Sequence, residues 1–229
     1  MRYLSHLALL VLLLAAAARP AEVIDRIVAT VNGHVILQSD WDDAVRFEAL
    51  VEARPLEQVN DQDRGHALDR LIDQELLREQ AQGADSPPPP AEELQQRIED
   101  IQSQHGATTP ADWQAVLTRY GLEPRLVEAS LARDISVLHQ VEARLRPAVQ
   151  VTPQSVEAYY RETFLPQLRK TGSDEVPLAQ VSGQIREILT QQKVNELFSS
   201  WLQSLRAESK ISMPGPASSP PAPTGGQAP

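Results

Sequence analysis

Asn32-Gly33 sits between two apolar, largely β-branched runs, Val23 to Val31 and His34 to Leu37. An Asn-Gly pair in that setting specifies a two-residue hairpin loop, because both central positions of a type I′ turn take positive φ. Pairing across the loop puts Ile27, Ala29, Val31 and Ile36 on one face and Val28, Val35 and Leu37 on the other. Both faces are apolar, and a two-stranded ribbon alone is barely stable in water. Helices are therefore expected to cover the hairpin on both sides.

The rest of the chain supplies them, with clear punctuation. Ser39-Asp40-Trp41-Asp42 reads as a capping-box variant with Ser39 as N-cap. The helix it opens carries Trp41, Ala44, Val45 and Phe47 towards Pro55. A second helix starts near Asn60-Asp61, holds Leu68, Leu71, Ile72, Leu76 and Leu77 at i, i+3, i+4 spacing, and ends at Gly83. The run Pro87 to Pro90 is a stiff spacer that opens a helix with Leu94, Ile98 and Ile101, stopped at Gly106. Thr109-Pro110 caps a short helix closed by Gly121, and Pro124 opens a longer one ended by Pro147. Thr152-Pro153 repeats the cap-plus-proline start before Val156, Tyr159, Tyr160 and Phe164. The last helix runs from about Leu178 to Arg206, some ~43 Å, long enough to cross the whole body. Ile211-Ser212-Met213 can add a short terminal strand.

Neither end belongs to that fold. Residues 1–18 read as a signal peptide, with Arg2 in the n-region, Leu7 to Leu14 as the apolar stretch and Ala15 to Ala18 offering small residues for cleavage. The apolar stretch falls short of the ~20 residues a membrane-spanning helix needs. Residues 214–229 hold six prolines, three glycines and no charged residue, a composition for a disordered, partly polyproline tail. The folded domain is expected over residues 22–213.

Composition excludes several function classes. With 31 acidic against 21 basic side chains and a net charge of -10, the chain lacks the basic stripe a nucleic-acid partner requires. The absence of cysteine rules out disulfides, thiolate zinc sites and Cys nucleophiles. Asp40, Asp42 and Asp43 sit at a helix start, where carboxylates suit the dipole, and Asp61 and Asp63 do likewise. His34, His66, His105 and His139 show no i, i+4 pair, so no metal is expected. Ser39 lacks a nucleophile elbow, and the one Gly pair, Gly225-Gly226, lies in the tail, so neither a catalytic residue nor a cofactor site is expected. The aromatic residues admit two readings. Trp41, Phe47, Tyr159, Tyr160 and Phe164 are either core, together with Trp201, or the lining of an apolar groove for extended client segments.

The order of elements carries a resemblance. Val23-Ile24-Asp25-Arg26-Ile27-Val28-Ala29-Thr30-Val31-Asn32-Gly33-His34-Val35-Ile36-Leu37-Gln38-Ser39-Asp40 resembles the opening of the SurA-type periplasmic chaperones after their signal peptide. Leu68 to Leu77 is similar to that family's second helix, residues 91–145 to its middle helices, Thr152 to Tyr160 to its next, and Gln184 to Leu205 to its closing helix. In longer relatives a parvulin-type prolyl isomerase domain separates the last two, whereas here that interval is about Leu165 to Pro177. The resemblance implies a mainly α, multi-helix chaperone domain with a small N-terminal β-hairpin and a long closing helix, lacking isomerase machinery. It implies an ATP-independent periplasmic holdase for unfolded exported or outer-membrane proteins, with no nucleic acid and no stable membrane insertion. The client-binding residues expected on this reading are Trp41, Phe47, Tyr159, Tyr160 and Phe164. The rival reading is a secreted helical adaptor that docks one folded partner.

Overall fold

Strands β1 (Ile27–Val31) and β2 (His34–Leu37) form the expected antiparallel hairpin in a computed structural model that describes residues 25–81, 88–172 and 174–213. Asn32 and Gly33 take φ of 49° and 96°, the left-handed conformations that a type I′ loop demands. The expected leader at 1–18, the helix stop at Gly83 and the tail at 214–229 lie outside the described residues.

The register holds from Val31↔His34 through Ala29↔Ile36 and then slips, so that Ile27 faces Leu37 and Val28 is the extra residue of a bulge. That slip corrects the expected faces. Val28 turns inward and is buried beside Ala29, Val31 and Ile36, while Ile27 leaves the inner face and is 43% exposed. The expectation of helices on both sides also fails: Val35, on the outer face, is 49% exposed. A third strand, β3 (Ile211–Ser212), pairs with β1 instead and gives the order β2-β1-β3. Three strands with one buried face are enough for stability, so the outer face need not be covered.

Eight α-helices lie among the described residues: α1 (Gln38–Val51), α2 (Asp61–Ala81), α3 (Ala91–Gln104), α4 (Pro110–Tyr120), α5 (Pro124–Leu145), α6 (Pro153–Tyr159), α7 (Leu165–Thr171) and α8 (Leu178–Glu208). Ser39 is not the cap of α1, because the helix begins one residue before it. Asp40 reaches back to accept the Leu37 N–H at 3.0 Å. Asp25 accepts both the Ser39 N–H and the Ser39 hydroxyl, covering donors that Leu37 has no side-chain oxygen to cover. The start of α4 follows the expected pattern: the Thr109 hydroxyl accepts from Asp112 N–H, and the Asp112 carboxylate accepts from Thr109 N–H at 2.9 Å. Gly121, with φ of 64°, closes that helix.

The chain from Pro153 to Thr171 is helical throughout but widens to π-type turns over Tyr160–Phe164. Pro166 explains the widening. It has no N–H for the carbonyl four residues earlier and its ring crowds that carbonyl, so the register opens just before it.

Three apolar clusters hold the elements together. The first joins α1, α3, α4 and α5 through Leu50, Ile101, Leu117 and Val127. The second packs the inner face of the sheet on Ile72 and Leu76 of α2 and Leu205 of α8. The third gathers Val156, Val181 and Ile185. Burying a side chain such as Leu50 or Ile185 completely contributes roughly 1.5–3 kcal/mol. Helix α8, 31 residues and therefore ~46 Å long, runs from the third cluster to the second. Arg206 fixes its far end to α2 through Asp69 at 3.2 Å and Asp73 at 2.5 Å.

Candidate polypeptide-binding site

The sheet's uncovered β2 face opens onto a cleft of about 490 Å³ between β2, α1, α2 and α5. Val35, Ala44, Phe47, Leu71, Leu126 and Val137 give it apolar walls. A second cavity, of about 460 Å³, lies between α1, α3 and α5, where Leu131, Ile135 and the exposed Leu138 line it. Phe47 and Arg70 belong to both cavities and form the partition between them.

Two carboxylates lose solvent beside this partition, Glu48 buried and Asp134 partly buried. Glu48, on α1, is only 8% exposed, and burial pushes its carboxyl up from the ordinary glutamate value. Arg70 is the main opposing influence, followed by His66 and Arg54, while Glu52 adds to the rise. Arg70 Nε lies 3.1 Å from Glu48 Oε1 but is poorly aligned, and that buried oxygen accepts no hydrogen bond among the described residues. Asp134, on α5, is also raised by burial, with Arg70 again the largest opposing charge, and it accepts from Gln74 Nε2 at 3.0 Å. One half-exposed guanidinium thus serves two desolvated acids.

The other carboxylates of the cleft are already engaged. Asp40 holds the Leu37 N–H, and Asp43 pairs with Arg46 at 2.9 Å. Glu75 is held below its usual value by the hydrogen-bonding guanidinium of Arg78, 2.6 Å away. His34, Glu75 and Glu79 each bring one potential metal ligand within 4.8 Å of the others, a grouping invisible in the sequence. Arg78 Nη2 also lies 3.1 Å from His34 Nε2, so a cation of the protein itself stands in that cluster.

The five aromatic residues named from the sequence do not meet in one groove. Phe47 alone lines the cavities, as a buried member of the first cluster. Trp41 packs against the sheet cluster, donates from Nε1 to the Arg64 carbonyl at 2.7 Å and lies under the Arg64 guanidinium. Tyr159, Tyr160 and Phe164 pack on the third cluster, where Tyr160 and Phe164 stack at 5.8 Å and the Tyr160 hydroxyl donates to the Val176 carbonyl. The residues that sequence reasoning missed are Val35, Glu48, Arg70 and Asp134. Only Val35 carried a signal, as an apolar residue on the second face of the hairpin.

The fold and the cleft define a mainly α domain, closed by a small antiparallel sheet, with an open surface that is part apolar and part charged. Residues 6–141 match the model of the family described as SurA-like N-terminal domain, and the chain belongs to that family. No curated protein matches the sequence. The match stops inside α5, so α6, α7, α8 and β3 lie beyond it, although β3 completes the sheet. Among the described residues no helix is long and apolar enough to cross a membrane.

Proposed function

We propose that the chain is an ATP-independent holdase that shields unfolded exported or outer-membrane polypeptides in the periplasm after removal of a signal peptide, and that it does not catalyse prolyl isomerisation. Membership of the SurA-like family supports a chaperone role. The carrying observation is the open cleft beside β2, whose apolar walls include the half-exposed Val35. Such a surface binds extended apolar segments weakly and reversibly, with no need of nucleotide. Between Phe164 and Leu178 the chain forms α7 and a short link, which supports the reading without isomerase machinery.

The test is aggregation of an unfolded outer-membrane porin, followed by light scattering with and without the purified chain lacking residues 1–18. Delay is expected at near-stoichiometric, micromolar chaperone, because one weak site yields roughly -8 kcal/mol. A proline-containing peptide assay should show no acceleration over the uncatalysed rate, which is slow enough to reveal modest catalysis. Absence of any delay with several unrelated unfolded clients overturns the chaperone reading.

A further inference from the structure

The buried carboxylate of Glu48 has no evident structural use. It is desolvated, its Oε1 accepts no hydrogen bond among the described residues, and the nearest cation approaches off-axis from a side chain that is more than half exposed. An isosteric neutral residue would fill the same space without that penalty. Glu48 nevertheless sits in the wall of the cleft that Val35, Phe47, Leu126 and Val137 make apolar.

We propose that this cleft recognises an extended peptide segment carrying a lysine or arginine among apolar residues, with the basic group received by Glu48. This inference rests on the holdase reading and names the chemistry of the client segment. Three observations favour such an occupant over a purely apolar one. An ammonium or guanidinium supplies the donor that Oε1 lacks, and half-exposed Arg70 can swing aside to admit it. The cleft's remaining acids are held by Leu37 N–H, Arg46 and Arg78, which leaves Glu48 as the acceptor in need of a partner. Strand β2 is the edge of the sheet, and the alternation of the antiparallel ladder turns the main-chain groups of Val35 away from β1. An extended segment can lie along that edge with alternate side chains entering the cleft.

The experiment uses the full chain without residues 1–18 and two short fluorescein-labelled peptides of alternating valine and threonine, one with a central lysine and one with norleucine there. Fluorescence anisotropy should show the lysine peptide binding about tenfold more tightly. Glu48→Gln should erase that preference with a melting temperature no lower than that of the unsubstituted chain, since the desolvation penalty is removed, and Val35→Ser should weaken both peptides. Equal affinities in the unsubstituted chain, or a preference that survives Glu48→Gln, overturn the proposal. Should Glu48→Gln fail to fold, a photo-crosslinking group beside the peptide lysine decides: labelling of α1, α2 or β2 at the cleft supports the site, and labelling elsewhere overturns it. Sedimentation showing a dimer that excludes the lysine peptide would assign the cleft to a second copy and also overturn it. If porin aggregation is still delayed while no lysine preference exists, the inference falls and the holdase reading stands; if neither peptide binds and nothing is held, both fall.

Discussion

Asn32 and Lys210 hold each other by two hydrogen bonds across a sequence separation of 178. The Asn32 N–H donates to the Lys210 carbonyl at 3.0 Å, and the Lys210 N–H donates to Asn32 Oδ1 at 2.8 Å. The same side chain donates from Nδ2 to Glu79 Oε2 at 2.7 Å and to the Ser209 hydroxyl at 3.2 Å. One residue therefore shapes the loop between β1 and β2, docks the approach to β3 and ties both to α2.

Two substitutions separate these roles. Asn32→Gly keeps the left-handed loop and loses the side-chain bonds, so it should destabilise by about 1 kcal/mol. Asn32→Ala also forces a Cβ-bearing residue with no local hydrogen bond into φ of 49° and should lose roughly 2 kcal/mol. Urea denaturation measures both. Equal, negligible shifts would show that neither the loop conformation nor the clasp contributes to stability.

Helix α8 supplies Val181 and Ile185 to the third cluster and Leu205 to the second, and it carries β3 behind it. A chain ending at Pro177 loses β3 and the α8 side of the second cluster, and it strips Val181 and Ile185 from the Tyr160–Phe164 pair. It should aggregate or form an expanded state with poor NMR dispersion. A chain ending at Met213 should keep the melting temperature of the longer protein. A soluble, well-dispersed truncation at Pro177 would refute the interdependence of the two ends.

What the sequence disclosed is what local chemistry decides. Asn32-Gly33 can scarcely be anything but a hairpin loop, and Thr109-Pro110 with Gly121 brackets α4 by caps that depend on neighbouring residues alone. The misjudged start of α1 shows the limit: Ser39 is a good cap by type, but Asp25, fourteen residues away, takes its hydroxyl. The bulge at Val28 is settled by packing on α2 and α8 rather than by alternation, and it alone moves Ile27 off the inner face. Residue type told that Trp41, Phe47 and Tyr160 are large and apolar, which forecasts burial without saying beside which neighbours. Arg70, Glu48 and Asp134 were beyond reach because their meeting depends on how α1, α2 and α5 cross.

The aromatic residues divide by role. Phe47 is buried in the first cluster, so Phe47→Ala should lose about 3–5 kcal/mol and unfold before it reports on binding. Tyr160→Phe removes only the bond to the Val176 carbonyl and should lose about 1 kcal/mol with porin holding unchanged. Loss of holding in a fully folded Tyr160→Phe variant would return the third cluster to consideration as a client surface.

Arg70 should reveal itself through pH. Burial raises both Glu48 and Asp134, and Arg70 is the largest charge opposing each rise. A carboxyl whose folded pKa lies above its unfolded value favours the fold fully below the unfolded value, and that contribution is lost as pH rises through the folded value. Asp63, lowered chiefly by the Asn60 N–H, and Asp112, lowered chiefly by the Thr109 hydroxyl, behave oppositely: their contribution is present above the usual carboxylate range and lost on acidification. Arg70→Met keeps the apolar stem and removes the charge, so Glu48 and Asp134 should rise further. The variant should be less stable near pH 7 by on the order of 1 kcal/mol, once solvent screening of the half-exposed guanidinium is allowed for, and the deficit should shrink towards pH 5 as the acids take up protons. Adding Glu48→Gln should recover part of the loss at pH 7, because one of the two stranded charges is then gone. A deficit that is constant between these pH values, or unaltered by the second substitution, would mean that Arg70 acts through packing alone.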